Sequence, residues 1–177
     1  GLGDLQAAIM SIDLSSCVSV NMGTGSQVSI SYSQKSSYEV RPLINDEFIN
    51  TLTHIPCGRV LNKYAKYIDS LFNLNADSIF WYKMFQTSLN INHDNAYKIN
   101  LNIIEGLHGY KKNSCITHID DVNKIDDYIY SIKKALADQY TFIINGFKRN
   151  HNIEQIYVTG ALGIKIPEFC EILEYNT

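Results

Sequence analysis

Three glycine-bearing segments and one aspartate are the places where this 177-residue sequence could do chemistry. Gly23-Thr24-Gly25 lies between two runs of alternating apolar residues, and Gly58 stands just ahead of a helical pattern. Gly160-Ala161-Leu162-Gly163 joins a strand pattern to another helix. Successive main-chain N–H groups in a tight turn form a concavity for anions, and a threonine hydroxyl adds a donor. A helix start offers unbonded N–H groups and the positive end of the dipole. Small residues at such junctions let a flat or charged ligand approach the backbone closely. Three of them in one domain are what a nucleotide-phosphate cleft requires, although each taken alone also reads as an ordinary turn or cap. Asp4, between Gly3 and the apolar positions Leu5, Ala8 and Ile9, is locally a helix N-cap and chemically a general base at the rim of a cleft. No Gly-Lys-Ser/Thr follows any of these turns and no dinucleotide-type glycine fingerprint occurs.

The elements that must position these residues follow from hydrophobic periodicity. Cys17, Val18, Val20 and Met22, then Val28, Ile30 and Tyr32, alternate on either side of Gly23–Ser26 and predict a β-hairpin. Strands are expected over 38–40 and 48–55 with a turn at Asn45-Asp46, giving an antiparallel meander. The period then becomes helical over 59–74 and 76–89. Ile99, Leu101 and Ile103 suggest a strand, and 106–113 a loop. The longest helical pattern runs over 120–149, acidic at its start (Asp120, Asp121) and basic at its end (Lys148, Arg149), as the helix dipole favours. A strand over 153–158 leads into the third glycine segment, and Pro167 opens a last helix. The result is one α/β unit with a β-hairpin-rich first half and helices packed on the sheet.

Composition narrows the partners. Fifteen basic residues against 18 acidic ones give a formal net charge of -3, with 45% hydrophobic residues. That balance offers no basic stripe for nucleic acid, and no apolar run reaches the length of a membrane span. Cys17, Cys57, Cys115 and Cys170 are too far apart for zinc or redox pairs, and read as single buried thiols of a reducing, cytoplasmic compartment. His54, His93, His108, His118 and His151 have no metal-ligand spacing. Tyr64 and Tyr67 could stack on a base, with packing as the default.

Gly3-Asp4-Leu5-Gln6-Ala7-Ala8, followed by Val20-Asn21-Met22-Gly23-Thr24-Gly25-Ser26-Gln27, resembles the C-terminal domain of the FGGY family of carbohydrate kinases, its sedoheptulokinase-like members above all. Arg41-Pro42, Cys57-Gly58-Arg59-Val60-Leu61-Asn62 and Val158-Thr159-Gly160-Ala161-Leu162 continue the family's order, so the resemblance spans almost the whole chain. It implies a ribonuclease H-like domain of the actin, hexokinase and Hsp70 type, with ATP as cosubstrate and Mg²⁺ bound through the nucleotide phosphates. The residue matching Asp4 takes the proton of the attacking hydroxyl. The turn matching Gly23, Thr24 and Gly25 grips the β- and γ-phosphates. Gly58 and Asn62 match positions near the phosphates and the ribose-base region, and Gly160, Ala161 and Lys165 match the segment packed on adenosine.

The sequence departs from the family at five places. Ala161 stands for a second glycine, Ile164 and Ile166 for polar residues, and Lys165 for an Asn of some relatives; Glu105-Gly106-Leu107-His108 replaces a Gly-Glu-Arg segment. The resemblance further implies that residues 1–177 are a nucleotide-binding domain incomplete at both ends. The sugar-binding N-terminal domain of such a kinase would be absent from this chain, which would be inactive alone. The expected function is transfer of the γ-phosphoryl of ATP to a ketose or polyol hydroxyl, sedoheptulose by resemblance. The alternative from another class is a degenerate kinase-like domain acting as a non-catalytic interaction module.

Overall fold

The computed structural model describes residues 9–10, 12, 14–31, 38–43, 46–72, 77–89, 97–102, 114–117 and 124–177. Chain contacts divide into two compact units, Gly1–Ile55 with Tyr140–Thr177, and Pro56–Gln139. The α/β expectation holds.

The first unit is built on a five-stranded sheet of β1 (Cys17–Met22), β2 (Ser26–Ser31), β3 (Glu39–Pro42), β4 (Phe48–Ile55) and β7 (Gln155–Thr159) in the order β3-β4-β2-β1-β7. The hairpin forms as expected, with Val20 opposite Val28 and Met22 opposite Ser26. The meander does not, because β4 and not β3 pairs with β2. β3 is only four residues long and ends in Pro42, which lacks a ladder donor; both features suit the edge it occupies. β7 joins on the other side, parallel to β1 with Val20 opposite Val158.

Both sheet faces are covered, which is why β1 is buried almost throughout instead of alternating. Val18, Val20, Met22, Val28 and Ile30 form one face. Tyr140, Ile143, Ile144 and Phe147 are buried in the last turns of helix α3 (Ile125–Lys148), where the Phe147 ring lies 4.5 Å from that of Tyr38. The opposite face carries Ser19, Ser29 and Thr51, buried yet polar, with Ser29 and Thr51 hydrogen-bonded at 2.8 Å. Cys17 and Ile49 on this face cluster with Ile9 and Leu14. Helix α5 (Glu168–Asn176) packs on β7 through buried Phe169 and Leu173, with Pro167 as its N-cap and not its first residue.

Asn50 breaks the apolar logic of its face. It is fully buried opposite Ile30 and Val40, and neither amide atom has a hydrogen-bond partner among the described residues. A buried amide without partners forfeits its hydration for nothing. Asn50→Leu, which keeps the number and branching of the side-chain heavy atoms, is therefore expected to raise stability by about 1–2 kcal/mol. Thermal and urea unfolding would read this as a higher midpoint at unchanged m, and a lower midpoint would contradict it.

The second unit holds α1 (Gly58–Phe72), α2 (Asp77–Gln86), the first part of α3, and a ribbon of β5 (Lys98–Asn100) with β6 (Cys115–Thr117). The second ribbon strand was not expected, since Cys115-Ile116-Thr117 is too short to show a period. Helix α3 begins at Ile125, later than its apolar pattern suggests, with Asp126 and Asp127 in its first turn. The Lys124 N–H donates to Asp127 Oδ2 at 2.8 Å. Asp120 and Asp121, Ile103 and 106–113 lie outside the described residues.

Tyr64 packs rather than stacking on a ligand. It is buried against the Tyr128 ring, its hydroxyl donates to the Asn100 carbonyl at 3.0 Å, and burial pushes its pKa up to about 12. Lys133 is likewise buried, its ammonium donating to the Thr87 carbonyl. None of the four cysteines is in a disulfide; Cys17 and Cys57 are buried as expected, whereas Cys115 is exposed and Cys170 half-buried.

Candidate nucleotide-phosphate site

The Gly23–Gly25 turn is pinned from below. Ser26 Oγ donates to the Asn21 carbonyl at 2.6 Å across the mouth of the turn, and the buried Tyr140 hydroxyl donates to Ser26 Oγ at 2.7 Å. A fully buried aromatic residue thus fixes the strand ends while the tip stays open. Thr24 and Gly25 are exposed, and a Cβ placed on Gly25 would meet nothing within 4 Å. A Cβ on Gly23 would come 3.3 Å from the Gly25 carbonyl oxygen, so the small residue keeps the turn tight. An open tip carrying a hydroxyl and turn amides can accept an anion.

The third glycine segment lies beside this turn. β1 and β7 end together, with Asn21 opposite Thr159. Gly160 follows at φ +84°, and a Cβ there would lie 2.7 Å from the Met22 carbonyl carbon and 2.9 Å from its nitrogen. The chain can turn here only without a side chain. Helix α4 (Gly160–Lys165) then buries Leu162 and Gly163 and exposes Ala161, Ile164 and Lys165. Ala161 and Lys165, one helical turn apart, share a side. Two glycine turns therefore meet at the carboxyl ends of a parallel pair, the edge where open α/β sheets bind ligands.

The remaining candidates are placed separately. Gly58 is the first residue of α1, buried, and does not merely precede the helix; the Cys57 carbonyl accepts the Val60 and Leu61 N–H groups at 2.8 and 2.9 Å. Asn62 is exposed one turn further along the same helix. Both belong to the second unit, whereas Gly23, Thr24, Gly25, Gly160, Ala161 and Lys165 belong to the first. Asp4 lies outside the described residues. A groove of about 600 Å³ in the second unit, bordered by Tyr97, Asn100, Lys134 and Asp138, contains none of the candidates. Among the described residues no three His, Cys, Asp or Glu side chains group as a metal site, and no helix is long and apolar enough to cross a membrane.

No protein-family model matches the sequence, and no curated protein matches it. Solved structures do. The chain is similar to xylulose kinase from Rhodospirillum rubrum at a TM-score of 0.74 and 11% identity, over 98% of this chain and 36% of that one. Plasmodium falciparum glycerol kinase with ADP gives 0.67 and 13% identity, over 97% and 36%. Gluconate kinase from Lactobacillus acidophilus gives 0.62 and 12%, over 84% and 31%. The fold is the ribonuclease H-like fold of sugar-kinase domains. The chain spans about a third of the length of these structures.

Within this ribonuclease H-like fold, sequence reasoning misses the residues that hold the first turn. Tyr140 reads only as one more apolar position of α3, and Ser26 as a turn residue. The available signal is chemical, because a tyrosine in the middle of a buried stripe needs a partner for its hydroxyl.

Proposed function

We propose that the chain is the nucleotide-binding domain of an ATP-dependent carbohydrate kinase of the FGGY family, acting on a ketose or polyol. Sedoheptulose is the acceptor favoured by the sequence resemblance. One observation carries the reading: the Gly23–Gly25 turn and Gly160 are packed side by side at the carboxyl ends of β1 and β7, in a fold shared with kinases of xylulose, glycerol and gluconate. The open tip at Gly25, with the Thr24 hydroxyl and the turn amides beside it, suits a ligand that presses phosphates against backbone.

In this proposal Gly23, Thr24 and Gly25 hold the β- and γ-phosphates. Gly160, Ala161 and Lys165 line the adenosine, and the roles of Gly58 and Asn62 near the phosphates and the ribose-base region rest on the sequence resemblance alone. Bound MgATP supplies the phosphoryl group, with Mg²⁺ held by the phosphate oxygens rather than by a protein cage. Asp4 accepts the proton of the attacking hydroxyl and orients it. A second domain would complete the acceptor site and exclude water from the cleft.

Thr24→Ala in the full-length protein tests the clamp. Thr24 is exposed, so the melting temperature should not move. The loss of a donor aimed at the transferring group should lower kcat/KM for ATP by roughly 10²-fold. An unaffected kinase rate would remove the clamp role. Absence of MgATP binding to the full-length protein, by calorimetry, would favour the non-catalytic interaction module instead.

A further inference from the structure

Between Ser26 and Val28 the β2–β4 register slips. Ser26 lies opposite Ile55 but Val28 opposite Leu52, so Thr53 and His54 share the span of Gln27. This is a β-bulge, and His54 occupies it at φ +60°. A left-handed conformation at a non-glycine residue is strained, and bulges re-aim side chains near functional sites. His54 is exposed and stands at the carboxyl end of β4, one residue from the Ile55–Ser26 pair next to the Gly23–Gly25 turn.

The side chains around it form a directed chain. Arg41 Nε donates to Glu39 Oε1 at 2.9 Å and Arg41 Nη2 to Glu39 Oε2 at 3.2 Å. The Arg41 hydrogen bond keeps the Glu39 carboxyl below its ordinary range, so at neutral pH Glu39 can only accept. Thr53 Oγ1 lies 3.3 Å from Glu39 Oε2 and 2.9 Å from His54 Nδ1. Its single hydroxyl proton goes to the carboxylate, and its oxygen then accepts from His54 Nδ1–H. Whenever the ring carries a single proton, that order leaves Nε2 as a lone pair on an exposed side chain.

We infer that His54 is a ligand-contacting residue, held by Glu39 and Thr53 so that Nε2 accepts a hydrogen bond from a hydroxyl of the bound substrate. The hydroxyl belongs either to the ribose of the nucleotide or to the acceptor sugar. Its identity rests on the kinase reading; the tautomer does not.

The test uses the full-length protein. Nitrogen-resolved NMR of the His54 ring should show the Nδ1–H tautomer, and Thr53→Val should shift it toward Nε2–H. A wild-type ring protonated on Nε2 overturns the relay. His54→Gly suits φ +60° and should keep or raise the melting temperature, and His54→Asn tolerates the same backbone. With either variant, KM should rise about 3–10-fold, the loss of one neutral hydrogen bond. The probes are ATP and a panel of sedoheptulose, xylulose, glycerol and gluconate. A rise for ATP alone assigns the ribose, and a rise for the phosphorylated acceptor alone assigns the sugar. An active wild type with both KM values unchanged in folded variants overturns the His54 assignment by itself. A wild type that neither binds ATP nor phosphorylates any of the panel removes the kinase reading, and with it the substrate hydroxyl.

Discussion

Gly160→Ala is expected to cost roughly 2–5 kcal/mol of folding stability, a large share of what a domain of this size has to lose. Two effects add at this position. The backbone sits at φ +84°, where a Cβ clashes with its own chain at about 1–2 kcal/mol. The same Cβ would lie 2.7 to 2.9 Å from the carbon, oxygen and nitrogen of Met22, all backbone atoms of a strand held on both sides. Strand backbone cannot step aside as a side chain can, so overpacking adds about 1–3 kcal/mol. At roughly 2–4 °C per kcal/mol for a chain of this length, the melting temperature should drop by about 5–20 °C. Because Met22 immediately precedes the Gly23–Gly25 turn, whatever variant folds should also bind MgATP more weakly.

Gly163 provides the control that separates a backbone clash from a side-chain clash. A Cβ there would come 2.5 Å from Val158 Cγ1, closer than any contact at Gly160, yet the obstacle is a methyl group that a rotamer change or a smaller residue removes. Gly163→Ala should therefore be the milder change and should be rescued by Val158→Ala. No second substitution should rescue Gly160→Ala. A Gly160→Ala protein with wild-type melting behaviour would contradict the close approach of the two turns.

The difference between those glycines marks how much the sequence could say. Alternation around Gly23-Thr24-Gly25 and the apolar stripe of α3 were legible because period two and period 3.6 are local properties. The strand order was not, since nothing local tells β3 to sit outside β4; a short strand ending in Pro42 hints at an edge only once the sheet is known. Gly160 could be singled out as a turn, but not the Met22 backbone that makes glycine necessary there. The β6 strand and the Tyr140–Ser26–Asn21 chain were hidden for the same reason, as each depends on a partner distant in sequence. His54 shows the limit most clearly. A histidine in a strand pattern reads as an exposed polar position, and only the register slip and φ +60° reveal the bulge that presents it.

Asp4→Asn carries the largest expected effect on activity, and it also decides between the two local readings of that residue. Asparagine caps a helix about as well as aspartate, so a purely structural Asp4 predicts no change in stability and none in rate. A general base predicts something different. The amide still accepts a hydrogen bond from the acceptor hydroxyl and fills the same volume, but it cannot take the proton. Phosphoryl transfer by the full-length protein should fall by about 10²–10⁴-fold, with MgATP affinity and melting temperature kept. That loss corresponds to roughly 3–5 kcal/mol of barrier. The pH profile adds a sign. A base works ionised, so the wild-type rate should decline as pH falls through the carboxylate range, and the residual rate of the variant should lack that acid limb. A variant turning over like the wild type would leave Asp4 as a cap and place the proton acceptor elsewhere.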